Sequence, residues 1–331
     1  MVTITDIAEA LGITPSTVSR ALSGNKRVSE ERRREVLEAA ERMGYERNVI
    51  ASNLRRGKSD IVGIVIPRIN REFFSNVISG AESILGEAGY RTIICQTHEE
   101  TAIEARVLQA LNHHRVAGIL LSHAIEDKDP SHILQALDSS IPLVQFDRVF
   151  HELPGAKVVS ANFEGAYEAT THLILSGYKR IGTLAGYLNT ELFSERLRGY
   201  RKALEDNGIR YNDSLVFPNT IVRETGYTAC HMAIDAGCDA LYSAGDFSAL
   251  GAVDALRERG ISIPDEFGIV GTANELFTSL MTPSMSSMGQ RPYDMGQEAA
   301  IAFLEHRTDV TVIPMDLHIR CSSNRNNIWL K

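Results

Sequence analysis

The sequence is poor in the features that mark a secreted, membrane-bound or metal-dependent protein. It holds only four cysteines, at positions 95, 230, 238 and 321 of 331 residues. None shares a Cys-x-x-Cys or zinc-knuckle spacing, so Cys95, Cys230, Cys238 and Cys321 read as ordinary thiols with neither a disulfide nor a metal role. No apolar run approaches the roughly 18 residues of a membrane-spanning helix, so no membrane partner is expected. The opening MVTITDIAEAL lacks the basic and long apolar regions of a secretory signal, and the expected location is the cytoplasm. Catalytic signatures are missing too. There is no His-Glu-x-x-His, no Gly-x-Ser-x-Gly, and no Gly-x-Gly-x-x-Gly behind a strand. Gly57-Lys58-Ser59 imitates the end of a phosphate-binding loop, but Ser52 stands where that loop requires glycine. These absences disfavour an enzyme and imply no cofactor.

What is present is a soluble composition, 44% hydrophobic and 23% charged, on a chain long enough for a small head and a two-lobed body. The net charge of −8 is unevenly spread. Residues 1–58 carry 11 Lys/Arg against 8 acids, a net +3, which leaves −11 on the remainder. A basic head on an acidic body fits a protein that meets phosphates at one end only, although a charge of this size also suits a solvated face.

Three short helices are legible in the head. The first follows Thr3 as N-cap with Asp6 three residues on, buries Ile7, Ala8 and Leu11, and ends at Gly12. The second starts at Thr14 with Pro15 in its first position, where the missing N–H costs nothing, and turns Val18, Ala21 and Leu22 inward. The third starts at Ser29, places Glu30 and Glu31 at its positive end, buries Val36, Leu37, Ala40 and Met43, and closes at Gly44. Only Gly12-Ile13 separates the first two, which is a helix-turn-helix connection. In such a unit the second helix enters the major groove, leaving Pro15, Ser16, Thr17 and Arg20 to reach base edges. Arg20 suits a two-pronged contact to guanine, against the plain alternative of a surface arginine.

The ordered set Asp6-Ile7-Ala8, Thr17-Val18-Ser19-Arg20, Val28-Ser29, Gly44-Tyr45 and Asn48-x-x-Ala51-x-x-Leu54 strongly resembles the head of the lactose-repressor/purine-repressor (LacI/GalR) family. That resemblance implies a sequence-specific transcription regulator, most often a repressor, that binds a palindromic operator in double-stranded DNA as a homodimer. It implies DNA contacts from Thr5, Thr14, Pro15, Ser16, Thr17, Arg20, Arg27, Tyr45, Asn48, Ala51, Leu54 and Arg55. Residues 48–58 would be the family's hinge helix, folding on DNA, with Leu54 wedged between base pairs of the minor groove. The expected division is 1–47 for the DNA-binding domain, 48–58 for the hinge and 59–331 for the effector-binding and dimerisation core. Tetrameric relatives carry an extra C-terminal heptad helix; the tail RCSSNRNNIWLK is too short and polar for one, so a dimer is expected.

From Ile61 onward apolar runs alternate with helical stretches: 61–66, 90–95, 116–121, 142–146, 180–185, 239–244 and 267–272, with helices such as Asn76–Glu87, Ile103–His113, Phe163–Leu175 and Gly251–Arg259. Continuous apolar strands joined by helices indicate parallel sheets covered on both faces. The expected fold is therefore an all-α helix-turn-helix head plus an α/β body. Here too the chain resembles the family, whose core is shared with periplasmic sugar-binding proteins. The resemblance implies one lobe from about 60–160 and 291–320, and a second from about 161–290 and 321–331.

Position by position, it implies effector contacts from Phe73, Phe74, Ser122, Asp147, Arg148, Arg196, Ile221, Asp246 and Asn274. The chain departs from neutral-sugar relatives at Gly245-Asp246, at Gly271-Thr272-Ala273-Asn274, at Ile221 in place of a stacking aromatic, and at Gln290-Arg291. Arg148, Arg196 and Arg291 are candidates to face the cleft, and arginine forks favour carboxylates and phosphates. The expectation is an anionic effector such as a sugar acid or sugar phosphate, of a carbohydrate or sugar-acid utilisation operon. Three alternatives stay open: a neutral sugar or nucleoside, no small ligand at all, or an Arg148 spent on Asp147 or on an interdomain carboxylate.

Overall fold

The computed structural model describes residues 2–22, 25, 27–45, 59–125 and 129–325. Asn48, Ala51, Leu54 and Arg55, the expected hinge contacts, lie outside the described residues. The chain divides into two compact units between Ser59 and Asp60.

The first unit holds helices α1 (Ile4–Leu11), α2 (Pro15–Leu22) and α3 (Glu30–Arg42). Thr3 and Asp6 form a reciprocal cap on α1: the Thr3 N–H donates to the Asp6 carboxylate at 2.7 Å, and the Asp6 N–H donates to the Thr3 hydroxyl at 3.4 Å. Gly12 then turns the chain at φ 63°, a left-handed conformation that a residue with a Cβ resists. The core is small: Ile7, Ala8, Val18, Ala21, Val36, Ala39 and Ala40, edged by half-buried Leu11, Leu22, Met43 and Tyr45. One sequence expectation fails here. Leu37 is 47% exposed and Ala39 is buried in its stead. At 100° per residue, Ala39 lies on the stripe defined by Val36, Ala40 and Met43, and Leu37 lies well off it.

The second unit contains two six-stranded sheets. Strands β1 (Ile61–Ile66), β2 (Arg91–Gln96), β3 (Gly118–Leu121), β4 (Leu143–Phe146), β5 (Lys157–Ser160) and β11 (Val310–Ile313) make the first, in the order β11-β5-β4-β3-β1-β2. All of its pairs are parallel. Strands β6 (Ile181–Leu184), β7 (Val216–Phe217), β8 (Ala240–Ser243), β9 (Gly268–Ala273), β10 (Ser286–Gly289) and β12 (Asp316–His318) make the second, in the order β12-β10-β9-β8-β6-β7. There only β12 runs antiparallel to its neighbour.

The helices are α4 (Glu72–Glu87), α5 (Thr101–His113), α6 (Ser131–Ala136), α7 (Asn162–Leu175), α8 (Glu191–Asp206), α9 (Arg223–Asp235), α10 (Asp246–Glu258), α11 (Phe277–Leu280) and α12 (Pro292–Leu304). Helices α4 and α12 press together on the first sheet through glycines. A Cβ on Gly80 would lie 2.0 Å from the Tyr293 carbonyl oxygen, and one on Gly296 2.0 Å from that of Val77. No helix among the described residues is long and apolar enough to cross a membrane.

The seven strands expected from apolar runs are all present. Strands β5, β7, β10, β11 and β12 are additions; SSMG in β10 and DLH in β12 offer no apolar run, and are recruited by the open backbone ladder of their neighbours. The chain passes between lobes after β5 and again after β10. The last passage falls between Ile313 and Asp316, not near 320 as expected. Pro314, which lacks an N–H to donate, ends the β11 ladder, and the chain joins the second sheet at Asp316.

Candidate functional site

The surface expected to read DNA is built on the start of α2. Thr14, Pro15, Ser16 and Arg20 are exposed and Thr17 is half-buried, while Val18 and Ala21 anchor the opposite face. The Thr14 hydroxyl is hydrogen-bonded to those of Ser16 and Thr17, each at 2.9 Å, and it accepts the Thr17 N–H at 3.3 Å. Three hydroxyls are thus gathered at the positive end of a helix, a disposition suited to phosphate oxygens and adaptable base contacts. Thr5 is exposed on α1 and Arg27 is exposed before α3, whereas Tyr45 is half-buried, its N–H donating to the Ala40 carbonyl at 2.8 Å. The α3 arginines are engaged locally: Arg32 with Glu35 at 2.7 Å, Arg33 with Glu30 at 3.9 Å and Arg34 with Glu38 at 4.0 Å.

In the second unit a cleft of about 800 Å³ lies between the two sheets. Most of its charged lining comes from residues just beyond strand ends: Arg68 and Arg71 after β1, Glu99 after β2, Asp147 and Arg148 after β4, Asp246 after β8 and Glu275 after β9. Parallel sheets gather their variable loops at that edge, where ligands bind. Phe73 and Phe74 open α4 edge to face, 5.1 Å apart. Ile221 and Tyr187 edge an apolar group of Leu192, Phe193 and Ala244 from the second lobe and Ile125 from the first. Phe73, Phe74, Asp147, Arg148, Arg196, Ile221 and Asp246 therefore line one cleft, as a set drawn from both lobes.

Two expected residues stand outside it. Ser122 is fully buried at the end of β3, its N–H donating to the Val65 carbonyl at 3.0 Å. Asn274 faces a separate cavity of about 250 Å³ and accepts from Arg320 at 2.7 Å. The arginine expectation is also corrected. Arg291 lies in that same side cavity, paired with Asp294 at 2.8 Å and 3.7 Å from Asp316. Arg148 lines the cleft with its fork already filled, bonded to both Glu99 oxygens at 2.6 and 3.3 Å. Its Nε lies 4.0 Å from Asp147, so the main partner is the carboxylate from the β2 loop and not its chain neighbour. Burial works against the Arg148 charge, but Glu99 outweighs it and the guanidinium is held above its ordinary pKa.

Arg196 is buried, donating through Nε to Asn162 at 2.8 Å and through Nη1 to the Ala244 carbonyl at 2.7 Å. Asp246 accepts from the Ser287 hydroxyl at 2.7 Å and from the Glu275 N–H at 2.8 Å, which ties α10 to the turn after β9. Burial nevertheless pushes its pKa up to about 7. Asp147 differs from both. It is nearly buried, sits at φ 61°, and has the Arg148 Nε at 4.0 Å but no hydrogen-bond donor to its carboxylate among the described residues. Burial raises its pKa, opposed by the charges of Arg148 and Arg196. A strained carboxyl in the cleft lining with no hydrogen-bond donor of its own is suited to a ligand hydroxyl.

The lobes touch at both rims. The Glu72 carboxylate accepts the Leu276 N–H at 2.6 Å on one side, and His151 meets Glu191 at 2.6 Å on the other. The sequence reading missed Arg68, Arg71, Glu99, Phe247 and Glu275. The strand-end rule was the available signal, since each follows directly on a strand of the cleft edge.

Two family profiles match the chain: "Bacterial regulatory proteins, lacI family" over residues 3–48 and "Periplasmic binding proteins and sugar binding domain of LacI family" over residues 59–321. The HTH-type transcriptional regulator DegA of Bacillus subtilis (strain 168) is 29% identical over 308 residues, covering 92% of this chain and 90% of DegA. The transcriptional regulator CelR in its cellobiose complex is 26% identical with a TM-score of 0.73, covering 97% of this chain and 100% of that one. The lac repressor dimer bound to operator and the anti-inducer ONPF has a TM-score of 0.84 over 97% of this chain and 99% of that one. At 22% identity this last likeness speaks to fold alone.

Proposed function

The chain belongs to the LacI family of bacterial regulatory proteins, DNA-binding transcriptional regulators with a sugar-binding domain, and we propose that it is a repressor controlled by a sugar-type effector. The observation that carries this reading is the presence, in one chain, of a helix-turn-helix presenting Ser16, Thr17 and Arg20 and a two-lobed cleft lined by Asp147. On this reading two chains associate in the cytoplasm and offer two heads to half-sites about one helical turn apart. Arg20 and the Thr14–Ser16–Thr17 hydroxyls take the major groove. The hinge segment 48–58 takes the minor groove at the operator centre, with Leu54 as its wedge.

The effector binds between the lobes, its hydroxyls donating to Asp147 and its apolar face lying against Phe73, Phe74 and Ile221. A change in lobe closure then alters the pairing of hinge segments. A full swing of operator occupancy from 1:99 to 99:1 needs about 5.5 kcal/mol of differential effector affinity. The regulated genes serve carbohydrate or sugar-acid utilisation, and no catalytic step is assigned to the cleft.

The test is selection of bound sites from random duplex DNA, followed by gel shift of the selected site with and without sugars. A palindrome is expected, with affinity that changes on adding a cleft ligand. A chain that binds DNA without sequence preference, or that turns sugars over, overturns the reading.

A further inference from the structure

We propose that Arg71 reads a negative charge on the effector, which makes that effector a sugar bearing a carboxylate or a phosphate. Arg71 can have this role only if the cleft is the effector site proposed above. The sequence pointed to Arg148, Arg196 and Arg291 for such a role, and the structure engages each of them with other groups of the chain. Arg148 is held by both oxygens of Glu99, Arg196 is anchored through Nε and Nη1 to Asn162 and the Ala244 carbonyl, and Arg291 is outside the cleft and paired with Asp294. Arg68 is largely exposed and lies 3.8 Å from Glu99.

Arg71 remains. It lines the cleft, it is half-buried, and no carboxylate among the described residues lies within 4.0 Å of its guanidinium. What it does have is an aromatic floor: its guanidinium carbon lies 3.7 Å from the centre of the Phe247 ring. That geometry is informative, because stacking engages the flat face of a guanidinium and leaves its in-plane N–H fork available for a carboxylate or phosphate. The stack also crosses the cleft, since Arg71 follows β1 of the first sheet and Phe247 opens α10 behind β8 of the second. The adjoining Glu72 grips the Leu276 N–H of the second lobe at 2.6 Å, so closure of this rim sets the fork in place.

Among the opposing charges, that of Glu275 acts most strongly on Arg71. It is buried, and its carboxyl is pushed above the ordinary range by burial and by Glu72, which blunts its competition for Arg71. Asp147, in the lining of the same cleft with no hydrogen-bond donor among the described residues, supplies the complementary acceptor. One fork and one acceptor in a space of about 800 Å³ describe a polyhydroxylated anion.

The experiment is isothermal titration of the full chain with matched sets: glucose, gluconate and glucose 6-phosphate, and galactose, galacturonate and galactose 1-phosphate. At least one anion is expected to bind more tightly than its neutral parent, by about tenfold to a hundredfold for charge-assisted bonds. Arg71→Gln is expected to erase that advantage, so that the anion binds no more tightly than its neutral parent. Arg71→Lys, which keeps the charge without the fork, is expected to restore part of it. The acid and phosphate arms separate the two anion types. An anion that binds Arg71→Gln as tightly as the unsubstituted chain overturns the role of Arg71. Neutral sugars that bind more tightly than all their anionic derivatives overturn the effector class but leave the sugar-sensor reading standing. Absence of binding by every member overturns both.

Discussion

Ser16, Thr17 and Arg20, the groups proposed for the major groove, lie on one helix with Thr14 just before it, whereas the cleft of the body collects Arg71, Asp147, Arg196, Ile221 and Asp246 from five separate segments. The head brings these four together by local helix geometry alone. The body does so through two sheets whose strand ends face each other. The same contrast holds for the cores: the head rests on seven buried side chains, and each lobe of the body on several layers of strand and helix. A small local unit is therefore readable but fragile, and a large non-local one is robust but opaque.

That contrast can be broken at its weakest point first. Ile7 is fully buried in the head, and Ile7→Ala is expected to remove about 2–5 kcal/mol, comparable to the whole stability of so small a core. Operator binding should vanish in a gel shift while the main calorimetric unfolding transition, that of the body, stays in place. A shift of both transitions would show that the units are not energetically separate.

The body's counterpart is Glu99→Ala, which strands the Arg148 charge at a site where its side chain is 9% exposed. A loss of about 3–5 kcal/mol is expected, read as a lowered melting temperature of the body with head-dependent DNA affinity retained below it. A smaller and sharper effect belongs to Arg20→Ala. Selection from random DNA should relax the preference at one position of each half-site, by about 1–3 kcal/mol, without weakening binding uniformly.

A further expected effect concerns pH. Asp246 holds its proton more tightly folded than unfolded, because burial lifts it from 3.8 to about 7. Its stabilising share is thus complete below about pH 4 and is lost as pH rises through about 7. Asp246→Asn should flatten the melting temperature of the body between those limits, and an unaltered slope would remove Asp246 as its source.

How much of this was legible differs along the chain. Thr3, Gly12, Pro15 and Ser29 marked the helix ends of the head because caps act within three or four residues. Leu37 misled because its hydrophobicity outweighed its position on the helix. In the body the apolar strands could be read one by one, since a buried parallel strand is apolar on both faces. The polar segments of β10 and β12 could not, because only a neighbouring strand makes them strands. Among cleft residues, Asp147 and Arg196 were found by resemblance, and Arg71 and Glu99 were missed although each follows a strand end.

By itself, then, the sequence determined the helix-turn-helix, the alternation of strand and helix, and the uneven charge of head and body, all of which depend on near neighbours or on counting. The tertiary structure alone decided which arginine is available in the cleft. Glu99 and Arg148 are far apart in the chain, and their pairing follows only from β2 and β4 lying in one parallel sheet. Arg71 meets Phe247 only because two lobes close on each other. Arginines that look alike in sequence become distinct in space, since an ion pair depends on distance and burial, and neither is written in residue order.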